Sequence, residues 1–278
     1  MGGSTSAIQY AVPLPGTQKE GQTAVYRSPA TVDGLWTHPE NFNCIGDVWR
    51  HNFKKYPDTP FLGYRSPTGQ VDDKGADVLQ KHFTFLNFRE IKKRSNDIGS
   101  GILNLDLAPE RAEYQNFKLK MVAIYSKNSP EYIFLDAACT LYGITSVPIY
   151  DTLGEEACEF MFEQTNLTTV FATTEHIKGL VKSIQGGCGS MKNLVILDEE
   201  KYESSGTKAF LEELPEGQVN FWTLSQVMQN GHTSPQEHVP QTLDDIYTFS
   251  YTSGTTSEPK GAMMSNRNVL TMILATAP

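Results

Sequence analysis

The residues that bring the most chemistry into the smallest space run from Tyr251 to Gly261, reading Tyr-Thr-Ser-Gly-Thr-Thr-Ser-Glu-Pro-Lys-Gly. Thr252, Ser253, Thr255 and Thr256 set their hydroxyls around Gly254, Ser257 adds another, and Lys260 brings a cation. Glycine at 254 and 261 frees the backbone to turn its N–H groups toward one point, and such a concavity holds an anion. The expected ligand is a phosphate group. A Walker-type loop is excluded, because that motif closes on Gly-Lys-Ser/Thr whereas Lys260 stands between Pro259 and Gly261. A bare polar turn has a similar composition. The flanks argue for more, since Ile246 to Tyr251 is β-branched and aromatic, as a strand should be. Beyond the loop, Ser265 or Asn266 can cap a helix carrying Val269, Leu270, Met272, Ile273 and Leu274. The expected order is strand, phosphate loop, helix.

The elements that must position this loop are written as an alternation upstream of it. Met121 to Tyr125, Ser146 to Tyr150, Thr169 to Thr173 and Leu194 to Leu197 are short and largely apolar, like strands buried on both faces of a parallel sheet. Helical patterns separate them: one capped by Ser129 with Pro130 at its first position and ended by Gly143, one from Glu155 to about Gln164, and one with Ile177, Leu180, Val181 and Ile184 on a single face. Two more, near 209–214 and 224–228, lead to the strand before the loop. The fold class that follows is α/β, a mostly parallel sheet with helices on both faces. Before this region the spacing predicts a helix from Asn43 to Pro57, a hairpin of 61–65 with 83–86, and a helix from Asn87 to about Leu105. Residues 1–40 read as an extended lead-in, and 41–278 as part of one larger domain.

Composition narrows the partners. Against 23 basic side chains stand 32 acidic ones, a net charge of −9, which argues against a nucleic-acid surface. The four cysteines, 44, 139, 158 and 188, have no metal-ligand spacing, and the six histidines are scattered without a paired spacing. No metal ligands are assigned. The N-terminus lacks the pattern of a signal peptide, so a cytoplasmic protein is expected; Gly2 followed by Ser6 matches a myristoylation pattern, which adds peripheral membrane association to the expectations.

From Thr252 to Gly261 the loop resembles the signature of the adenylate-forming enzymes, Thr-Ser-Gly-Thr-Thr-Gly-x-Pro-Lys-Gly, and departs from it at Ser257, where the family has glycine. Serine would be strained there if that backbone has a positive φ. Val147-Pro-Ile-Tyr-Asp-Thr-Leu-Gly154 and Asn128-Ser-Pro-Glu-Tyr132 are similar to stretches of long-chain fatty acyl-CoA synthetases. The resemblance implies activation of a long-chain fatty acid by ATP, with Mg2+, to an acyl-adenylate and then transfer to coenzyme A, on the endoplasmic reticulum or another membrane in some settings. It implies a cofactor-binding set of Thr252, Ser253, Gly254, Thr255, Thr256, Lys260 and Gly261, in which Thr252 to Thr256 hold the departing phosphates and Lys260 pairs with them or locks the loop by bonding its backbone. The family's adenine-binding segments and catalytic lysine are expected beyond Pro278, so catalytic residues are not assigned and this chain alone is expected to lack ligase activity. Another acyl-adenylating ligase, or a non-catalytic nucleotide- or acyl-binding module, stays open.

Overall fold

The structure is a computed structural model and describes residues 10–34, 39, 41–73, 77–112, 117–150, 155–187, 189–252 and 259–276. Two short strands, β1 (Val12–Pro13) and β2 (Tyr26–Arg27), pair within the expected lead-in. Helix α1 (Ile45–Lys55) starts where Asp47 accepts from the amides of Asn43 and Cys44. Strands β3 (Pro60–Tyr64), β4 (Pro67–Val71), β5 (Asp77–Leu79) and β6 (Thr84–Asn87) follow, β3 pairing with β6 and β4 with β5. The expected hairpin is therefore present, and the polar stretch inside it holds a second ladder. Helix α2 (Phe88–Asn104) opens on a reciprocal cap, Asn87 accepting from the amide of Glu90 while Glu90 accepts from that of Asn87.

The alternation then unfolds as β7 (Glu110–Ala112), β8 (Lys118–Tyr125), α3 (Pro130–Tyr142), β9 (Thr145–Pro148), α4 (Glu155–Thr165), β10 (Thr169–Ala172), α5 (Ile177–Gln185), β11 (Asn193–Ile196), α6 (Glu199–Ser204), α7 (Lys208–Glu212), β12 (Asn220–Thr223) and α8 (Leu224–Thr233). The last elements are β13 (Ile246–Thr252), β14 (Lys260–Ser265) and α9 (Asn266–Thr276). Ser129 caps α3 through the amide of Tyr132, and Thr223 with Gln226 forms a second reciprocal cap on α8.

The main sheet runs β12-β11-β10-β8-β9-β13-β14, with β7 paired to the start of β8. From β12 to β13 every neighbour along this path is parallel, and β14 closes the edge antiparallel to β13. Side chains alternate between two apolar layers. Val122, Ile124, Phe171 and Val195 pack with α2, α3 and α8 on one face, and Met121, Ala123, Val170, Leu194 and Ile196 pack with α4 and α5 on the other. Both faces are buried, which is why the strands read as continuous apolar runs.

Helix α2 meets α8 at unusually close range. A Cβ built on Gly231 would lie 1.9 Å from the carbonyl oxygen of Asp97 and 2.5 Å from the amide nitrogen of Gly101, so backbone, which cannot rotate away, occupies the space. In an open helix Gly→Ala is stabilising by about 1 kcal/mol. Gly231→Ala should reverse that sign and destabilise the chain by about 2 kcal/mol or more, read as a lower midpoint in urea; an unchanged or higher midpoint would contradict this packing.

Candidate functional site

Because β8, β9, β10 and β13 are parallel, their carboxyl ends share one edge of the sheet. The sequence motifs converge there: Asn128 and Ser129 follow β8, Tyr150 follows β9, and Thr252 ends β13. Open α/β sheets bind ligands outside these strand ends. Asp151 to Gly154 and Ser253, Gly254, Thr255, Thr256, Ser257 and Glu258 lie outside the described residues, as does the conformation expected to strain Ser257.

Thr252, Lys260 and Gly261 are described. The chain leaves the sheet at Thr252 and returns at Lys260, and these two residues are partners across the β13–β14 ladder. Their Cα atoms are thus about 5 Å apart, which gives the loop a narrow neck. Both are exposed. Two expectations need correction. A strand, β14, separates the loop from the helix, and α9 starts at the other end of β13, where the amide of Asn266 donates to Asp245 and that of Arg267 to Leu243. The dipole of α9 therefore does not point at the loop. Gly261, in turn, lies within β14 and makes no turn: a Cβ there would come 2.9 Å from Cζ of Tyr251, so its missing side chain makes room for that ring.

The strand that delivers the loop pairs fully with β14 but is held to the rest of the sheet mainly by side chains. Its backbone pairs with β9 at one position, Thr248 opposite Ser146. Around it the Ser146 hydroxyl donates to Thr248 Oγ1 at 3.0 Å, Thr248 Oγ1 donates to the Ser146 carbonyl at 3.0 Å, and Thr145 Oγ1 donates to the Ile246 carbonyl at 2.8 Å. Two tyrosines then reach in opposite directions, although four residues apart on a regular strand they would share a face, because the register of β13 against β14 shifts between Ile246 and Thr248. The Tyr251 hydroxyl donates to Gln164 Oε1 of α4 at 2.7 Å, and the Tyr247 hydroxyl donates to the carboxylate of Asp136 on α3 at 2.9 and 3.1 Å. Burial pushes the Asp136 carboxyl up to about 6, opposed by the Tyr247 hydrogen bond. Burial and the neighbouring Asp136 charge raise the Tyr247 and Tyr132 hydroxyls as well.

A cavity of about 310 Å³ opens at the same sheet edge, lined in part by Tyr125, Cys158, His176, Lys178, Lys182 and Ser183. It sits where the chain, having gone from β8 to β9 on one side, crosses to β10 on the other, the switch point of the topology. The rings of Tyr125 and His176 stack at 3.7 Å with 9° between their planes. Lys178 leans over Phe210, its Nζ 5.4 Å from the ring centre, and Glu175 pairs with Lys127 at 3.2 Å. Lys178 and Lys182, one helical turn apart on α5, line the cavity together with the carboxylate of Glu175. The cavity, beside β8 and β10, lies two to three strand spacings from β13, about 12 Å.

The structure thus brings Thr252, Lys260 and Gly261 together at the neck and adds residues that sequence reasoning missed. The Lys178/Lys182 spacing is visible in the sequence as an i, i+4 pair on a helix whose apolar face was read. Asp136 and Gln164 carry no such local signal, since their partners lie far along the chain. Among the described residues no three His, Cys, Asp or Glu side chains converge as a metal site, and no helix is long and apolar enough to cross a membrane.

The sheet and its edge define an α/β protein with a narrow loop neck, between Thr252 and Lys260, on the carboxyl side. Residues 49–277 match the AMP-binding enzyme family, and the chain belongs to that family. It is 29% identical over 268 residues to acyl-CoA ligase 891, peroxisomal, of Penicillium roqueforti, covering 95% of this chain and 36% of that protein. To long chain acyl-CoA synthetase 4 of Arabidopsis thaliana it is 29% identical over 252 residues, covering 90% of this chain and 34% of the relative. The adenylation domain of a carboxylate reductase from Mycobacterium chelonae shares the fold, with a TM-score of 0.68 at 22% identity over 84% of this chain and 36% of that one. The chain therefore spans about a third of the length of the curated relatives it matches. The resemblance and the α/β fold class expected from sequence are both borne out.

The burial of Asp136 sets a pH dependence, which its hydrogen bond from Tyr247 only moderates. With a folded value near 6 against 3.8 for the free side chain, Asp136 keeps a proton in the folded chain that the unfolded chain has released. Its favourable contribution is complete below about pH 4 and is lost as the pH rises through about 6. In Asp136→Asn the melting temperature relative to the unaltered chain should climb between about pH 4 and pH 6.5 and then level off; a difference that stays flat would contradict this.

Proposed function

We propose that this chain carries the pyrophosphate-binding part of an enzyme that activates a long-chain fatty acid with ATP and passes the acyl group to coenzyme A. A carboxylate oxygen of the acid attacks the α-phosphorus of ATP, the bond to the bridging oxygen breaks, and pyrophosphate leaves. The coenzyme A thiolate then attacks the acyl carbon and AMP departs. The observation that carries this reading is the hydroxyl- and glycine-rich segment Thr252 to Gly261, spanning a narrow neck at the carboxyl edge of a parallel sheet with Lys260 at its rim.

Charge accumulates on the departing pyrophosphate as the first step proceeds, so donors already fixed around those oxygens stabilise the transition state more than the bound substrate. In this reading Thr252, Ser253, Thr255 and Thr256 donate hydroxyls, Gly254 lets backbone N–H groups approach, and the Lys260 ammonium pairs with the phosphate charge. Gly261 acts at one remove, by admitting the Tyr251 ring. A magnesium ion supplies charge neutralisation when it accompanies the nucleotide, and it needs few protein ligands. The cavity beside Lys178 and Lys182 suits the phosphorylated end of coenzyme A, the other polyanionic substrate. The long-chain class of acid is supported by the names of the curated relatives and by Val147 to Gly154. Peripheral membrane association, on the endoplasmic reticulum or elsewhere, remains part of the proposal through Gly2 and Ser6.

Calorimetric titration with ATP and with inorganic pyrophosphate tests the loop. Both ligands should bind, and Lys260→Ala should weaken pyrophosphate by about tenfold, the ratio for losing one charge-assisted hydrogen bond. No binding by the unaltered chain, or equal binding by the variant, would overturn the reading. In the whole protein, ATP–pyrophosphate exchange should be stimulated by a long saturated fatty acid far more than by an aromatic acid.

A further inference from the structure

The neck of the loop has little backbone support. Strand β13 meets β9 at Thr248 alone, so Phe249 to Thr252 have ladder bonds on one side only, to β14, and β14 is itself the edge of the sheet. An edge hairpin of this kind twists and shifts unless side chains fix it. One residue is built to do so. Tyr251 is the one buried residue of β13, 4% exposed, while its neighbour Thr252 and the facing Lys260 are exposed. Its ring enters the apolar layer under the sheet and lies against Gly261, its ladder partner, and its hydroxyl donates to Gln164 Oε1 at 2.7 Å.

We propose that Tyr251, tethered by Gln164 and seated on Gly261, is the positioning residue that sets the neck of the phosphate loop, so that helix α4 holds the loop in register for its ligand. The inference rests on the reading of the loop as a phosphate site. The geometry gives the tether a reach beyond its own contact: Tyr251 is one residue from Thr252, and Gly261 is one residue from Lys260, the pair through which the chain leaves and re-enters the sheet. A ring fixed at its far end by α4 and pressed on Gly261 constrains both arms of the neck at once. Without the hydroxyl tether the ring keeps its apolar burial but loses its fixed depth. The hairpin then pivots about Thr248, and the spacing of Thr252 and Lys260 across the neck is no longer fixed.

The test compares the 278-residue chain with Tyr251→Phe, Gln164→Leu and the double variant. Gln164 is exposed, so Gln164→Leu keeps the test valid even if Tyr251→Phe folds poorly. Three readouts are taken: melting temperature, affinity for inorganic pyrophosphate by calorimetry, and the amide resonances of Thr252 and Gly261. Each single variant should bind pyrophosphate about fivefold more weakly, as the loss of one ordinary hydrogen bond predicts, with both amide resonances displaced. The double variant should be no weaker than either single one, because both remove the same tether. If the unaltered chain does not bind pyrophosphate, the phosphate reading fails and the inference with it. If it binds and both single variants bind equally well, with a lowered melting temperature only, Tyr251 is merely structural and the positioning role is overturned while the phosphate reading stands.

Discussion

The register of β13 against β9 is the constraint on which the carboxyl edge depends. Side chains on a strand alternate between faces, so a slip of one residue turns every side chain of β13 to the opposite layer. Tyr251 would leave the layer of α4, Tyr247 would leave Asp136 on α3, and Thr252 would no longer face Lys260 across the neck. A single backbone bridge at Thr248–Ser146 is a weak guard against that slip. The hydroxyls of Thr145, Ser146 and Thr248 add lateral hydrogen bonds, and the two tyrosines check the register from both faces. The strand that leads into the candidate loop is thus fixed against β9 largely by polar side chains, whereas β8, β10 and β11, deeper in the sheet, are fixed by apolar burial and full ladders.

Much of this architecture is legible in the chain. Met121 to Ile124 and Leu194 to Ile196 announce buried parallel strands because both faces need apolar side chains. Helices α2 and α3 declare their starts through Asn87 with Glu90 and through Ser129 with Pro130, whose side chains satisfy amides that no helical partner can reach. Strand β14 was hidden for a physical reason. Lys-Gly-Ala-Met-Met-Ser contains no β-branched or aromatic residue, and it is a strand because β13 offers it a ladder, not because of its own preference. At the site, Thr252 and Lys260 were legible from residue type. The role of Gly261 was not, since the ring it admits is on the opposite strand, and Gln164 and Asp136 are tied to β13 only by the tertiary fold.

Charge is arranged locally against the global balance. A chain of net charge −9 repels anions at a distance, yet Lys260 at the neck and Lys178 with Lys182 at the cavity put cations at the strand ends where a phosphorylated ligand would arrive. Low-dielectric walls behind such cations strengthen their local field. Lys260 on β14 and the lysines of the cavity beside β8 and β10 stand three to four strand spacings apart along one sheet edge, about 17 Å, with Tyr150 at the end of a strand between.

In the proposed function the neck between β13 and β14 holds pyrophosphate. Amide hydrogen exchange of the chain, with and without saturating inorganic pyrophosphate, tests it most directly. New protection should be concentrated from Tyr251 to Gly261, with the strands β10 to β12 unchanged. Protection confined to α5 and the cavity lined by Lys178 and Lys182, or none anywhere, would contradict it.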